Sequence, residues 1–117
     1  MTLFWRHLDE FLRTSQVVID RPKASKHPRF PDVIYPLDYG YLDGTASGDG
    51  DGIDLWIGSD DGERQITGVF FTTDSYKRDS EIKLLLNGTA SDRQTILDFY
   101  ESNQMGCIYI PRENPTD

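Results

Sequence analysis

Asp49, Asp51 and Asp54 lie two and three residues apart in the run SGDGDGID, with glycines at 48, 50 and 52. Carboxylates at that density offer hard oxygen donors, which suit Mg2+ or Mn2+. The glycines give the backbone freedom to turn tightly enough for the three side chains to converge. A solvated turn rich in Asp and Gly is the plain alternative. An EF-hand is excluded: its loop wants an oxygen-bearing side chain at the fifth position and glycine at the sixth, where Ile53 and Asp54 stand. A helix should follow such a loop, whereas here an alternating strand does.

The charge balance limits what such a site can serve. Twelve basic and twenty acidic residues leave a net charge of −8 over 117 residues. That charge opposes binding to a nucleic acid. An anionic small molecule is compatible if carboxylate-bound cations bridge to its oxygens. The single cysteine, Cys107, rules out an internal disulfide and fits a reducing cytoplasm. The opening residues MTLFWRHLDEFLRT carry charges throughout, unlike a signal peptide or membrane span. The length corresponds to one domain spanning residues 1–117.

The elements that must position the site follow from periodicity. Phe4, Leu8, Phe11 and Leu12 recur at helical spacing after Thr2, which predicts a capped N-terminal helix. Residues 16–20 read as a strand, and Pro22, Pro28, Pro31 and Pro36 make the stretch up to Tyr35 an extended loop. Residues 53–57 alternate, with Ile53, Leu55 and Ile57 on one face and Asp54 and Trp56 on the other, so Asp54 should leave the core. Residues 65–73 and 81–86 are further strands, Glu81 and Lys83 sharing a face in the second. Asn87-Gly88 reads as a turn. Ser91 should cap a last helix through about Gln104, Gly106 stop it, and residues 107–110 form a closing strand. Short strands with two flanking helices predict an α+β domain centred on a small closed or half-closed β-barrel.

The chain also resembles a known family. Asp20 and Pro22, Arg29-Phe30, YPLDYGY at 35–41 and DGDGID at 49–54 run in the order and nearly the spacing of the soluble inorganic pyrophosphatases, whose signature is D-[SGDN]-D-[PE]-[LIVMF]-D. Only Gly52 departs within that signature, and Glu81-Ile82-Lys83 resembles the family's Asp-x-Lys strand. The resemblance covers about residues 17–86. It implies a five-stranded OB-like barrel with N- and C-terminal helices, several Mg2+ ions, and hydrolysis of pyrophosphate to two phosphates. It implies metal ligation by Asp49, Asp54 and Glu81, with Asp54 bridging and Asp20 standing for a family glutamate near further metals. Asp51 would be the general base; Arg29, Tyr39 and Lys83 would bind phosphate oxygens. The expected partners are pyrophosphate or a similar phosphoanhydride and further copies of the chain, with no nucleic acid and no membrane.

Several family features are replaced. A hairpin that carries a lysine and a glutamate before the Arg-Phe segment is missing, and Lys26 is the candidate to supply the lysine. Tyr76 stands where the family has a metal-binding aspartate, with Asp74 and Asp79 close in sequence. Asn103 and Gln104 align with a phosphate-binding Tyr-Lys pair. Three readings therefore stand: a minimal pyrophosphatase, a hydrolase of another phosphoanhydride or phosphoester, and a non-catalytic metal- and phosphate-binding module. Tyr35, Tyr41, Trp5 and Trp56 read as packing. His7 and Cys107 have no evident partner.

Overall fold

The computed structural model describes residues 2–112. Helix α1 (Leu3–Thr14) leads into strand β1 (Gln16–Arg21), followed by β2 (Asp38–Asp43), β3 (Ile53–Ile57), β4 (Ile66–Asp74), β5 (Asp79–Leu86), helix α2 (Ala90–Ser102) and β6 (Gly106–Pro111). No helix among the described residues is long and apolar enough to cross a membrane.

The strands form one six-stranded sheet in the order β1-β2-β3-β5-β4-β6. Every neighbouring pair is antiparallel except β3 and β5. The α+β class with two helices is as expected, whereas the sheet has six strands rather than five and does not close among the described residues. Strand β2 lay hidden in the tyrosine-rich motif, and β6 joins the outer side of β4, so β1 and β6 remain separate edges among the described residues.

Each face of the sheet carries its own apolar cluster. Leu42, Ile53, Leu55, Val69, Leu84 and Leu86 meet Trp5 and Leu8 of α1 on one face. Trp56, Phe70 and Leu85 meet Ile96 and Tyr100 of α2 on the other. Trp56, read as packing, is fully buried although it shares a face with Asp54, because α2 covers that end of the face. Two covered faces make central strands apolar on both sides, which blurs the alternation that a half-solvated strand shows.

Helix ends also differ from expectation. Thr89, not Ser91, caps α2, through a reciprocal capping box with Asp92. The helix ends at Asn103, ahead of Gly106, which instead opens β6. Thr2 occupies the N-cap of α1 without a side-chain capping bond. The proline-rich segment after β1 is not simply extended: Lys26 bridges to Ile34, and backbone bonds such as His27 N to Val33 O at 2.9 Å fold it back on itself.

Candidate functional site

The strand register places four expected site residues together. Tyr39 lies opposite Trp56, Tyr41 opposite Asp54, and Asp54 opposite Lys83. Side chains on one face of paired strands are immediate neighbours, so Tyr39, Asp54, Glu81 and Lys83 gather beyond the part that α2 covers. Lys83 is the centre. Its Nζ donates to Tyr39 Oη at 2.7 Å, to Glu81 Oε2 at 3.0 Å and to Asp54 Oδ2 at 3.2 Å. The Tyr39 hydroxyl in turn donates to Asp54 Oδ2 at 2.7 Å.

An ammonium has three donors and no acceptor, and the three partners of Lys83 match them in number. Only 6% of the residue is exposed, while the Asp54 and Glu81 side chains keep 33% and 31% of their surface. Burial acts to lower the Lys83 pKa, but Tyr100, Tyr39 and Asp54 outweigh it and hold the ammonium well above its ordinary value. Burial, reinforced by Tyr100 and Asp54, raises the Tyr39 phenol. At neutral pH the pair is therefore ammonium and neutral phenol.

An aromatic wall fixes Tyr39. Its ring meets Trp56 edge-on at 4.8 Å and Tyr35 at 5.4 Å, and Trp56 Nε1 donates to Tyr100 Oη at 3.0 Å. Tyr35, read as packing, is buried and serves that purpose. Gly40, between Tyr39 and Tyr41, has a structural duty of its own: a Cβ there would run into the backbone of Val18 and Ile19 on β1.

The remaining expected residues lie elsewhere. Asp49 accepts from Ser47 Oγ at 2.5 Å and from the Asp51 amide at 3.0 Å. Ser47 N donates to Asp51 O at 2.7 Å, closing an exposed turn. The Ser47 hydroxyl and the Asp51 amide draw the Asp49 carboxyl below its usual range. The Asp49 carboxylate is thus engaged by the turn's own donors. The glycine-rich loop satisfies its own polar groups, while Asp54 belongs to β3. Among the described residues no group of three or more His, Cys, Asp or Glu side chains is placed to hold a metal ion. Asp54 and Glu81, on one shared nitrogen, are the pair of acidic donors that the sheet does assemble.

Asp20 sits at a β-bulge between Ile19 and Arg21, 3.6 Å from the Arg21 guanidinium. Arg29 and Lys26 are exposed in the folded-back segment, where His27 Nδ1 accepts from the Arg29 and Phe30 amides at 3.0 and 3.3 Å. Asp74 is used within the β4–β5 turn, accepting from the Tyr76 and Lys77 amides. Tyr76 is 93% exposed. Asn103 donates its amide to Phe99 O at 2.7 Å at the end of α2.

Sequence reasoning missed Arg21. Alternation from Val18 would have turned Asp20 and not Arg21 toward this face, and a one-residue bulge, which propensity does not reveal, exchanges them.

The fold is similar to that of the inorganic pyrophosphatase from Helicobacter pylori, with a TM-score of 0.60 and 19% identity over 87% of this chain and 85% of that one. It is also similar to an inorganic phosphatase from Anaplasma phagocytophilum, with a TM-score of 0.54 and 17% identity over 81% of each chain. No protein-family model and no curated protein matches the chain. The chain therefore has a pyrophosphatase-like α+β fold.

Proposed function

We propose that the chain hydrolyses inorganic pyrophosphate, or a similar phosphoanhydride, at the Lys83 cluster. The observation that carries this reading is the convergence of Tyr39, Asp54, Glu81 and Lys83 through four hydrogen bonds on the open end of one sheet face. The Helicobacter pylori protein of similar fold is an inorganic pyrophosphatase, which agrees with that reading.

Mg2+ is commonly held by one or two carboxylates together with substrate phosphates rather than by an all-protein cage. Asp54 and Glu81 would be such donors: both are partly open to solvent, and they would release the Lys83 ammonium that they share here. When bound with substrate, Mg2+ or Mn2+ neutralises phosphoryl charge and acidifies water. The chain's own residues supply the rest. Lys83, kept protonated, turns from its carboxylates to a phosphoryl oxygen, and the neutral Tyr39 hydroxyl donates beside it. Asp51 accepts the proton of the attacking water, with Asp49 as a further oxygen donor on the same loop. Arg29, with Lys26, stabilises charge on the departing phosphate.

The test is phosphate release by the purified chain from pyrophosphate, tripolyphosphate, nucleotides and phosphoesters, with Mg2+ or Mn2+. Metal-dependent release from a phosphoanhydride, lost in Asp54→Asn, is the expected result. Absence of release from every compound overturns hydrolysis. If pyrophosphate still binds in that case, the non-catalytic module takes its place, a reading favoured by Asn103, whose amide is spent on the end of α2.

A further inference from the structure

The two edges of the sheet are built differently. Strand β1 is blunted by the bulge at Asp20 and by the charges of Asp20 and Arg21, devices that keep an edge from pairing with a further strand. Strand β6 carries no charge from Gly106 to Ile110, pairs with β4 without a bulge, and has a proline only at its last residue. Its backbone is set to accept another strand. Arg112 N donates to Thr67 O at 3.1 Å, and bonded and non-bonded pairs alternate along an antiparallel ladder. Ile108 and Ile110 therefore bond to β4, whereas Cys107 and Tyr109 turn their amides and carbonyls to the open edge.

Both faces flanking that edge are incomplete. On the α1 face, Ile108 and Ile110 are 61% and 40% exposed beside Phe71 and Val69. On the α2 face an open groove of about 470 Å³ runs between helix and strand, lined by Leu97, Met105 and Cys107 and by the carboxylates of Asp98 and Glu101. Farther along β6, Arg93 of α2 lies over the Tyr109 ring at 5.1 Å. Acid thus flanks Cys107, and base flanks Tyr109.

A twofold axis brings those opposite ends together. An antiparallel copy of β6 with Ile108 opposite its own counterpart sets Cys107 of each copy against Tyr109 of the other. Each such pair exchanges both backbone bonds, the Ile108 and Ile110 side chains of the two copies meet on one face, and Arg93 of each copy faces the other's Asp98 and Glu101. An axis at Tyr109 would instead set the two Arg93 side chains against each other and Cys107 against Pro111, which has no amide. Charge complementarity therefore selects both the occupant and the register.

We propose that two copies of the chain associate by antiparallel pairing of β6 with β6 about Ile108, which joins their six-stranded sheets into one. This interface does not depend on the chemistry of the Lys83 cluster.

Sedimentation of the full chain in reductant, from about 1 to 200 μM, reads the association. Wild type should move from 13.4 kDa toward twice that mass as concentration rises. Ile108→Lys, an exposed substitution that sets two ammonium groups at the axis, should weaken association about tenfold or more. Arg93→Glu should weaken it about tenfold, since the symmetry counts each change twice, and adding Glu101→Arg should recover most of the loss. In a Cys107→Ser background, Ile108→Cys should cross-link in oxidised glutathione, whereas Ile110→Cys, placed opposite Gly106, should not. Wild type that stays monomeric throughout overturns the pairing and leaves the edge to a foreign strand. It is equally overturned if Ile108→Lys associates as wild type does, if the charge reversal restores nothing, or if Ile110→Cys cross-links as readily as Ile108→Cys.

Discussion

The Asp-Gly loop and the β2-β3-β5 strands hold the same kinds of side chain and treat them in opposite ways. Asp49 and Asp51 lie on an exposed turn, where the Asp49 carboxylate accepts from the Ser47 hydroxyl and the Asp51 amide and the Asp51 carbonyl accepts from Ser47. Asp54 and Glu81 stand on paired strands and share one buried ammonium. Rigid sheet elements fix positions to a fraction of an ångström, whereas a glycine-rich loop settles into whichever turn satisfies its own polar groups. Density of carboxylates in sequence is therefore a weaker guide to a site than the register that brings distant residues across a sheet. The strand cluster is the preorganised half, and the loop is the half that can rearrange around a ligand.

The sharpest way to break that contrast is to remove its centre. Lys83→Met leaves Asp54 and Glu81 repelling each other and Tyr39 without its donor. Removing one partner of a buried ion pair costs about 3–5 kcal/mol; because both carboxylates keep about a third of their surface, the lower value of about 2–3 kcal/mol is expected here. Urea unfolding measures it. Turnover should fall by about 10³ or more, the loss of a phosphoryl contact made in the transition state. A variant of unchanged stability and activity would show that the cluster is incidental.

The loop should respond differently. Asp51→Asn is expected to lower kcat by about 10², as for a lost general base. Its melting temperature should stay within error, since Asp51 takes part in the turn through its backbone carbonyl and amide, which Asn retains. A fall in stability as large as that of Lys83→Met would erase the distinction between the two regions.

How much of this was legible depended on the range of the interactions involved. The spans of α1, β1, β3, β5 and β6 followed from local periodicity. Tyr39, Asp54, Glu81 and Lys83 were all named from motif and spacing, and the structure brings these four together. Their hydrogen bonding to one another was not legible, because it depends on the parallel pairing of β3 with β5 across an intervening strand. The bulge that faces Arg21 to Tyr39 left no signal either; Trp56 was read as packing, but the helix it packs against was not legible. Nor did sequence reveal the work of Asn87, whose turn-forming character was read but whose side chain holds the 58–65 loop. Its amide donates to Asp60 O and Gly62 O at 3.0 Å and its oxygen accepts from Gln65 N at 2.8 Å.

A further carboxylate extends the comparison to acid. Asp92 is 6% exposed and accepts from the Ser59 and Thr89 amides at 2.7 and 2.9 Å. Burial pushes its pKa up, but those bonds outweigh it and leave it below the ordinary 3.8. A depressed folded-state pKa contributes stability that is present above the unfolded value and lost as pH falls through the folded one. Unfolding followed by circular dichroism should therefore steepen below about pH 4. Asp92→Asn should be about 1–2 kcal/mol less stable at pH 7 and flatter in acid. An identical acid limb in both proteins would show that Asp92 carries no such linkage.

The smallest expected effect tests whether α2 belongs to the strand cluster or merely covers the core behind it. Phe99 and Tyr100 pack against Trp56 at 5.5 and 5.9 Å, so the helix adjoins the wall that fixes Tyr39. Its C-terminal residues Asn103 and Gln104 stand where resemblance would have a phosphate-binding Tyr-Lys pair. The double substitution Asn103→Tyr with Gln104→Lys adds a hydroxyl and a cation there. Gln104 already has a φ of +61°, and lysine in that left-handed backbone is strained to the same degree as glutamine. Asn103, by contrast, gives up its amide bond to Phe99 O, worth about 0.5–1.5 kcal/mol. The expected outcome is a slightly lower melting temperature with a several-fold rise in kcat/KM for pyrophosphate, since one partly solvated charged contact supplies about 1 kcal/mol. If an active wild type gains nothing while the melting temperature falls as calculated, the end of α2 lies outside the reach of substrate. The phosphate contacts would then come from the folded-back segment and the β4–β5 turn, through Arg29, Lys26 and Lys77.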